Sequence, residues 1–266
     1  MGSSRALAGL DFRLMVPGQS WRVRRRVVSC PGPELVLSGS HMTRDTAQRV
    51  ATYWNDVAGK FDAIYSGRKS PLARALDGWL RQDMFERFDW VMETAGGVLD
   101  SRICDVGCGS GRFVAELAER GAGRVVGVDV APEMLRLASQ HVAASGVAAR
   151  CKFVLADVEH WMTEERFDLV IAIGFWDYIE DPRSRLAKIR RLSERRFLSA
   201  WPRAETWRAR LRKARLSVLD CPVYFYQRDA ICQLLEGAGF TVSSIREIGQ
   251  LYCVDARISG SGEQAP

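Results

Sequence analysis

Residues 103–113 read ICDVGCGSGRF, an apolar run that ends in Asp105 and continues with glycines at the alternate positions 107, 109 and 111. In an open parallel sheet, ligands bind beyond the carboxyl ends of the strands, and glycines there let the backbone approach a ligand closely. A phosphate-binding P-loop needs a Lys followed by Ser or Thr, which this stretch lacks, and a dinucleotide fingerprint needs a glycine where Arg112 stands. The stretch predicts a strand, a ligand-binding turn and a helix, with a plain tight turn as the alternative.

Strand-like runs alternate with helical segments on both sides of this turn. The runs are RICDV, RVVGVDV, CKFVLADV, FDLVIAIGF and RRFLSAW, and they begin at residues 102, 124, 151, 167 and 195. Strands that alternate with helices of this length specify an α/β fold with a parallel sheet. After a helical segment at 228–239, the runs FTVSSIREIG and QLYCVDARI follow with almost nothing between them. So short a link predicts an antiparallel hairpin at the end of the sheet.

The domain limits follow from these patterns. Residues 42–258 are predicted to form a single domain, in which 42–97 is a helical cap and 98–258 is the sheet-containing core. Within that core, 202–226 is predicted to be an insertion over the substrate, and residues 259–266 to be a flexible tail. Residues 1–41 begin MGSS, end near SGSHM and carry six arginines against two acids. They are predicted to be a leader or disordered extension, with a transit peptide as the alternative.

Composition excludes several classes of protein. The chain has 266 residues, of which 47% are apolar, and no apolar stretch approaches the ~18 residues of a membrane span. Its seven cysteines are scattered without a C-x-x-C pair, which argues against a disulfide framework and a zinc site. We therefore predict no metal and a cytoplasmic setting. The formal net charge of +6 falls to about +2 without the Arg-rich leader, so the body is not strongly basic.

The pattern Asp105-x-Gly107-x-Gly109-x-Gly111 resembles the first motif of the class I S-adenosylmethionine-dependent methyltransferases. The resemblance runs over residues 50–257 in the order of elements and is sharpest over 103–135. It implies a Rossmann-like, doubly wound, mostly parallel seven-stranded sheet with a C-terminal antiparallel hairpin and an N-terminal helical cap. It also implies S-adenosyl-L-methionine as cofactor and methyl transfer by in-line displacement.

The resemblance assigns donor-site residues at the ends of four strands and on the N-terminal helix. Asp129 ends the second strand, where a carboxylate can accept both ribose hydroxyls, although an acid there also suits NAD. Tyr53, Phe61 and Tyr65 lie at near-helical spacing, so a buried helix stripe is the alternative for them. The predicted cofactor residues are Asp105, Gly107, Gly109, Gly111, Asp129, Val130, Asp157, Val158, Ile173, Gly174, Tyr53 and Tyr65.

Acceptor and base residues are assigned on the same ground. The acceptor site is predicted from Phe175, Trp176, Trp201, Tyr224, Phe225 and Tyr226, with core packing as the alternative for the aromatic rings. A hydroxyl acceptor has to lose a proton, and His160, Asp177 and Tyr178 are the candidate bases. The arrangement is most similar to enzymes that methylate oxygen on lipophilic or carboxylated small molecules, such as the magnesium-protoporphyrin and ubiquinone-pathway methyltransferases. We therefore predict O-methylation of a small molecule.

Residues 183–215 hold thirteen Lys and Arg against two Glu. A solvated charged face is the simplest interpretation of such a run. The functional alternatives are an anionic substrate, an acidic carrier protein or an anionic membrane surface, which would make the protein peripheral at a membrane. Nucleic acid ranks last, since no RNA-binding module is recognisable. For the whole chain, the alternatives to a methyltransferase are a nicotinamide-dependent oxidoreductase and a non-catalytic binding module of the same fold.

Overall fold

A computed structural model of the chain describes residues 48–55, 84–205 and 223–259. Its sheet contains seven strands: β1 (Arg102–Val106), β2 (Arg124–Asp129), β3 (Cys151–Leu155), β4 (Phe167–Ile173), β5 (Ser193–Pro202), β6 (Phe240–Ile248) and β7 (Leu251–Ile258). The order across the sheet is β3-β2-β1-β4-β5-β7-β6. The first five strands run parallel, whereas β7 is antiparallel to both β5 and β6. The predicted fold class, with its C-terminal hairpin, is confirmed.

Six α-helices lie in the described part of the chain: α1 (48–55), α2 (84–95), α3 (Arg112–Glu119), α4 (Pro132–Ala144), α5 (Arg183–Leu192) and α6 (Arg228–Gly237). Pro132 occupies the first turn of α4, where its missing N–H costs no hydrogen bond. α1 and α2 are helical as the pattern of 43–95 predicts. Residues 56–83 lie outside the described ranges, as do 1–47, 206–222 and 260–266. The predicted domain limits therefore stay predictions.

The central strands of the sheet are buried on both faces, which explains why β1, β2 and β4 are nearly continuous apolar runs. Successive residues of β1 show the two sides: Ile103 belongs to a core cluster with α2 and α3, and Cys104 to a second cluster with α5 and α6. Strand order reverses between β1 and β4. From β1 the chain adds β2 and β3 on one side, and from β4 it adds β5 on the other side. Ligands of doubly wound folds bind at this switch point, and the glycine turn after β1 lies there.

The described half of the basic segment 183–215 uses several of its arginines inside the fold. Arg196 donates to both oxygens of Asp255, at 2.8 and 2.7 Å, and Arg190 donates to the Gly239 carbonyl at 3.1 Å. Arg203 lies 2.9 Å from Glu247. These contacts join β5 and α5 to the C-terminal hairpin. The excess of charge is therefore partly structural, and a carrier protein or membrane as partner stays a prediction.

No helix in the described ranges is long and apolar enough to cross a bilayer.

Candidate functional site

The turn between β1 and α3 holds three glycines with positive φ, at +72° for Gly107, +51° for Gly109 and +75° for Gly111. A Cβ added at Gly111 would lie 2.7 Å from the Cβ of Ala138 on α4, and one at Gly107 would lie 3.0 Å from the ring of Phe175. A Cβ at Gly109 would meet nothing within 4 Å. Gly111 is therefore required by helix packing, whereas Gly109 borders open space at the carboxyl edge of the sheet.

Asp129 lies directly beside this turn. Its Oδ2 accepts the Gly109 N–H at 2.8 Å, and its Oδ1 accepts the Ala131 N–H at 2.9 Å. Burial raises the pKa of this carboxyl, while the backbone hydrogen bonds oppose the shift. Each carboxylate oxygen can accept a second hydrogen bond, so the pair of oxygens can still receive vicinal hydroxyls. The structure thus brings the predicted ribose contact to the ligand-binding turn.

Asp105, the last acid of β1, is only 1% exposed, and its Oδ2 has no hydrogen-bond partner among the residues that the structure describes. Burial, and then the charge of Asp129, raises the pKa of this carboxyl from 3.8 to about 8. Nearly all buried polar groups in proteins are hydrogen-bonded, so an unpartnered carboxyl oxygen at the end of a central strand calls for an explanation. A ligand cation or donor at this position would supply the missing partner.

Asp157 and Val158 follow β3 and form a third part of the same edge. The Asp157 Oδ1 accepts the Glu159 N–H at 3.0 Å, and its Oδ2 accepts from Arg185 of α5 at 2.8 Å. The Ala156 N–H donates to the Asp129 carbonyl at 3.0 Å, which ties the end of β3 to the end of β2. Asp157 and Asp129 therefore border neighbouring parts of one cleft.

The end of β4 adds Ile173 and Gly174, together with an arginine that was not predicted. A Cβ at Gly174 would lie 3.5 Å from Nη1 of Arg87, on α2. Arg87 is half-buried and has no hydrogen bond or ion pair with any of the residues that the structure describes. The sequence could have indicated this arginine. Arg87 stands one turn before the buried Trp90 and Val91, which places it on the apolar side of its helix.

α1 covers the N-terminus of α4. Asn55 accepts the Glu133 N–H at 3.2 Å, which satisfies one of the free donors of that helix. The ring of Trp54 lies 5.9 Å from that of Tyr178 and 5.5 Å from that of Tyr53. Tyr53 lies on this covering helix, and its contact with the cofactor stays a prediction, whereas Trp54 and Asn55 were not predicted. The predicted Phe61 and Tyr65 lie outside the described residues.

The three candidate bases lie around the same edge. His160 is half-buried and follows Asp157 in one turn, where its N–H donates to the Asp157 carbonyl at 3.0 Å. Asp177 is buried, and its carbonyl accepts the Tyr224 N–H at 2.9 Å. Tyr178 contacts Trp54 of the α1 cover. Their catalytic roles stay predictions.

The predicted acceptor residues separate into two groups. Trp176 and Trp201 are fully buried and stack on each other, with ring centroids 4.1 Å apart and planes 6° from parallel. Both rings are therefore part of the buried core among the described residues. Contact of Trp176 and Trp201 with an acceptor stays a prediction.

The other four predicted acceptor residues lie nearer the surface. Phe175 is half-buried with its ring against Gly107. Tyr224 donates to Glu180 at 3.4 Å, and Phe225 beside it is half-buried. Tyr226 donates to the Ile179 carbonyl and is mostly buried, so its hydroxyl anchors the chain after residues 206–222. Contact of these residues with an acceptor stays a prediction.

Comparison with known proteins agrees with this geometry. Residues 103–195 match a family described as a methyltransferase domain. The ubiquinone biosynthesis O-methyltransferase of Aeromonas salmonicida is 28% identical over 142 residues, which is 53% of this chain and 52% of that protein. The chain therefore spans about half the length of such relatives.

Two solved structures share the fold at low sequence identity. Magnesium protoporphyrin IX methyltransferase from Synechocystis PCC 6803, with bound S-adenosylhomocysteine, superimposes with a TM-score of 0.66 at 19% identity, covering 81% of this chain and 100% of that one. The [4+2]-cyclase SpnF superimposes with a TM-score of 0.62 at 15% identity, covering 80% of this chain and 96% of that one. Residues 103–195 therefore match a methyltransferase domain, and the predicted resemblance to the class I S-adenosylmethionine-dependent methyltransferases and the predicted fold are confirmed.

Proposed function

We propose that the protein transfers the methyl group of S-adenosylmethionine to an oxygen of a small-molecule acceptor. The observation that carries the proposal is the buried Asp105 carboxyl, whose Oδ2 lacks a partner beside the open space at Gly109. The donor's methionine part ends in an ammonium group, which is the cation that such a carboxyl needs.

The other groups of the cleft suit the rest of the donor. The Asp129 carboxylate is proposed to accept the ribose hydroxyls, and Asp157 to accept the adenine amine next to the apolar Val158. The unpaired Arg87 guanidinium, beside Gly174, is proposed to bind the donor's carboxylate, since arginine presents a fork of N–H donors. Tyr53 and Trp54 supply aromatic faces near the sulfonium side, where cation–π attraction is worth about 1 kcal/mol.

Methyl transfer from a sulfonium needs little chemistry from the protein, because the leaving group is already activated. Holding donor and acceptor in line can supply roughly 7–10 kcal/mol of the barrier. An oxygen acceptor must also lose its proton, and His160, Asp177 and Tyr178 are the groups at the sheet edge proposed to take it. The acceptor is proposed to enter near Phe175, Tyr224 and Phe225, beside the chain that leads out of residues 206–222.

The two alternatives are weaker for stated reasons. In the common dinucleotide-binding order the sixth strand extends a parallel sheet, whereas here the antiparallel β7 lies between β5 and β6. Arg112, in place of the third glycine, begins α3 and lies over the ring of Phe88, 5.3 Å from its centroid. The cyclase of the same fold shows why fold alone does not specify methyl transfer, so a non-methylating module has to be tested directly.

Calorimetric titration of the full chain with S-adenosylhomocysteine and, separately, with NADH tests the donor assignment. We expect micromolar binding of S-adenosylhomocysteine and none of NADH. The protein is then incubated with methyl-labelled S-adenosylmethionine and an extract of the source cells. Alkaline hydrolysis of the labelled product identifies the acceptor atom. Binding of neither nucleotide would refute the proposal, and binding without any transfer would favour the non-catalytic module.

The pKa of Asp105 predicts that binding releases a proton. In the free protein the pKa of about 8 keeps this carboxyl protonated at pH 7, and a bound ammonium would favour its ionised form. Titrations at pH 7 in phosphate and in Tris should therefore differ in heat by an amount that corresponds to about one released proton.

The matched variant for this experiment is Asp105→Asn, which has no proton to lose. We expect its binding heat to be independent of the buffer, and that of the wild type to become so at pH 9, where the carboxyl is already ionised. Because the pKa of Asp105 is raised on folding, its contribution to stability is complete below about pH 4 and is lost as the pH rises through about 8. Equal proton release by the wild type and Asp105→Asn would show that another group titrates.

A further inference from the structure

Arg185, in the first turn of α5, bridges two acids that follow β3. Its Nη2 lies 2.8 Å from the Asp157 Oδ2, and its Nη1 lies 3.1 Å from the Glu159 Oε2. The side chain of Arg185 is only 11% exposed, so the three charged groups interact largely away from water. Removing one partner from such a cluster is costly, because it leaves a buried charge uncompensated.

The bridge fixes both oxygens of Asp157. Oδ2 receives the guanidinium, and Oδ1 receives the backbone N–H of Glu159 at 3.0 Å. A carboxylate that is held in this way presents its oxygens in fixed directions as hydrogen-bond acceptors. The turn itself is joined to the ribose side of the cleft through the hydrogen bond from Ala156 to the Asp129 carbonyl.

We propose that Arg185 is a positioning residue that sets the base specificity of the donor site, by orienting the Asp157 carboxylate as an acceptor for the exocyclic amine of adenine. This inference rests on the proposed function, because it takes the base to lie against Asp157. Arg185 itself acts through Asp157 and does not touch the base.

The chemistry of the base makes this role measurable. Adenine presents an amine donor at C6, whereas hypoxanthine presents a carbonyl acceptor there, which an ionised carboxylate repels. Without Arg185, the Oδ2 of Asp157 loses the contact that fixes its direction, and Asp157 and Glu159 lose the cation between them. The carboxylate should then reach the adenine amine less well, so the preference for adenine should weaken.

The probes are S-adenosylhomocysteine and its hypoxanthine analogue, S-inosylhomocysteine, titrated into the full chain. The wild type should prefer the adenine compound by roughly 100-fold, which corresponds to one charge-assisted hydrogen bond and the loss of repulsion. In Arg185→Met the preference should fall about tenfold, mainly through weaker binding of the adenine compound. Glu159→Gln is the matched control, because it leaves the Arg185–Asp157 pair intact and should retain the wild-type preference.

A second variant guards against a failure of Arg185→Met to fold. Arg185→Met combined with Glu159→Met removes one positive and one negative charge, so the cluster keeps its net charge, and a thermal melt shows whether the fold is intact. The tenfold loss of preference in either folded variant supports the proposal. Equal weakening of both compounds would show that Arg185 only supports the turn and would overturn it. Tight but equal binding of both compounds by the wild type would also overturn it, while leaving the proposed donor site standing.

Discussion

Replacement of Asp129 by Ala should reduce the affinity for S-adenosylhomocysteine by roughly 1000-fold, or about 4 kcal/mol. The carboxylate has two tasks in the structure. It accepts the N–H groups of Gly109 and Ala131, which fixes the glycine turn, and its remaining lone pairs are proposed to accept the ribose hydroxyls. Alanine removes both the contact and the support of the turn. Isothermal titration calorimetry measures the loss of affinity, and a competition titration is used for the weakly binding variant.

Asp129→Asn separates the two tasks. The amide oxygen can still accept one backbone N–H, but its amine would face the other, so an intermediate loss is expected. Asp181→Asn is the control, since Asp181 pairs with Arg183 at the exposed start of α5 and such surface pairs contribute little. An affinity of Asp129→Ala within a few-fold of the wild type would show that the ribose lies elsewhere.

The parts of the site that the sequence predicts are those that strand ends determine. Asp105, Asp129 and Asp157 each follow an apolar run, and parallel strands bring such positions to one edge, so their proximity needs no side-chain detail. The glycine turn was predictable for the same reason. Periodicity and spacing thus predict which residues share the edge of the sheet that is proposed to bind the donor.

The positions that spacing does not predict depend on side-chain packing across different elements. Trp176 follows β4 and Trp201 lies near the end of β5, but their rings are buried in the core and stack on each other, which sequence spacing does not predict. Arg87 was missed because its position beside Gly174, without an ion pair to any described residue, depends on how α2 packs against the end of β4. The pairing of Arg185 with Asp157 likewise joins residues 28 positions apart.

The two acids at the centre of the cleft also explain each other. Asp105 and Asp129 are both buried, and the charge of Asp129 helps to raise the pKa of Asp105. The Asp129 carboxylate accepts two backbone N–H groups, whereas the Asp105 Oδ2 has no donor among the described residues. The free protein therefore keeps one negative charge and one neutral acid side by side. A cationic ligand would favour the ionised form of Asp105 at little cost, which is the electrostatic basis for the expected proton release.

Alanine at Gly111 should mainly lower the stability of the fold, whereas alanine at Gly109 should mainly lower the affinity for the ligand. In Gly111→Ala the new Cβ would lie 2.7 Å from the Cβ of Ala138, so we expect unfolding to become easier by about 2–4 kcal/mol, or roughly 5–15 °C in Tm. In Gly109→Ala the Cβ enters open space, so the fold should lose only the ~1 kcal/mol of left-handed strain. Affinity for S-adenosylhomocysteine should nevertheless fall by tenfold or more, because the methyl group takes space proposed for the ligand.

Gly146→Ala provides the matched control for backbone strain. Gly146 has a φ of +71° and also borders open space, but it follows the end of α4, away from the carboxyl edge. Its alanine variant should show the small loss of stability of Gly109→Ala and the binding of the wild type. If Gly109→Ala bound S-adenosylhomocysteine as well as Gly146→Ala does, the alternating glycines would be a tight turn and the donor would have to bind elsewhere. The three alanine variants therefore decide whether the glycine turn binds a ligand or is only a tight turn of the backbone.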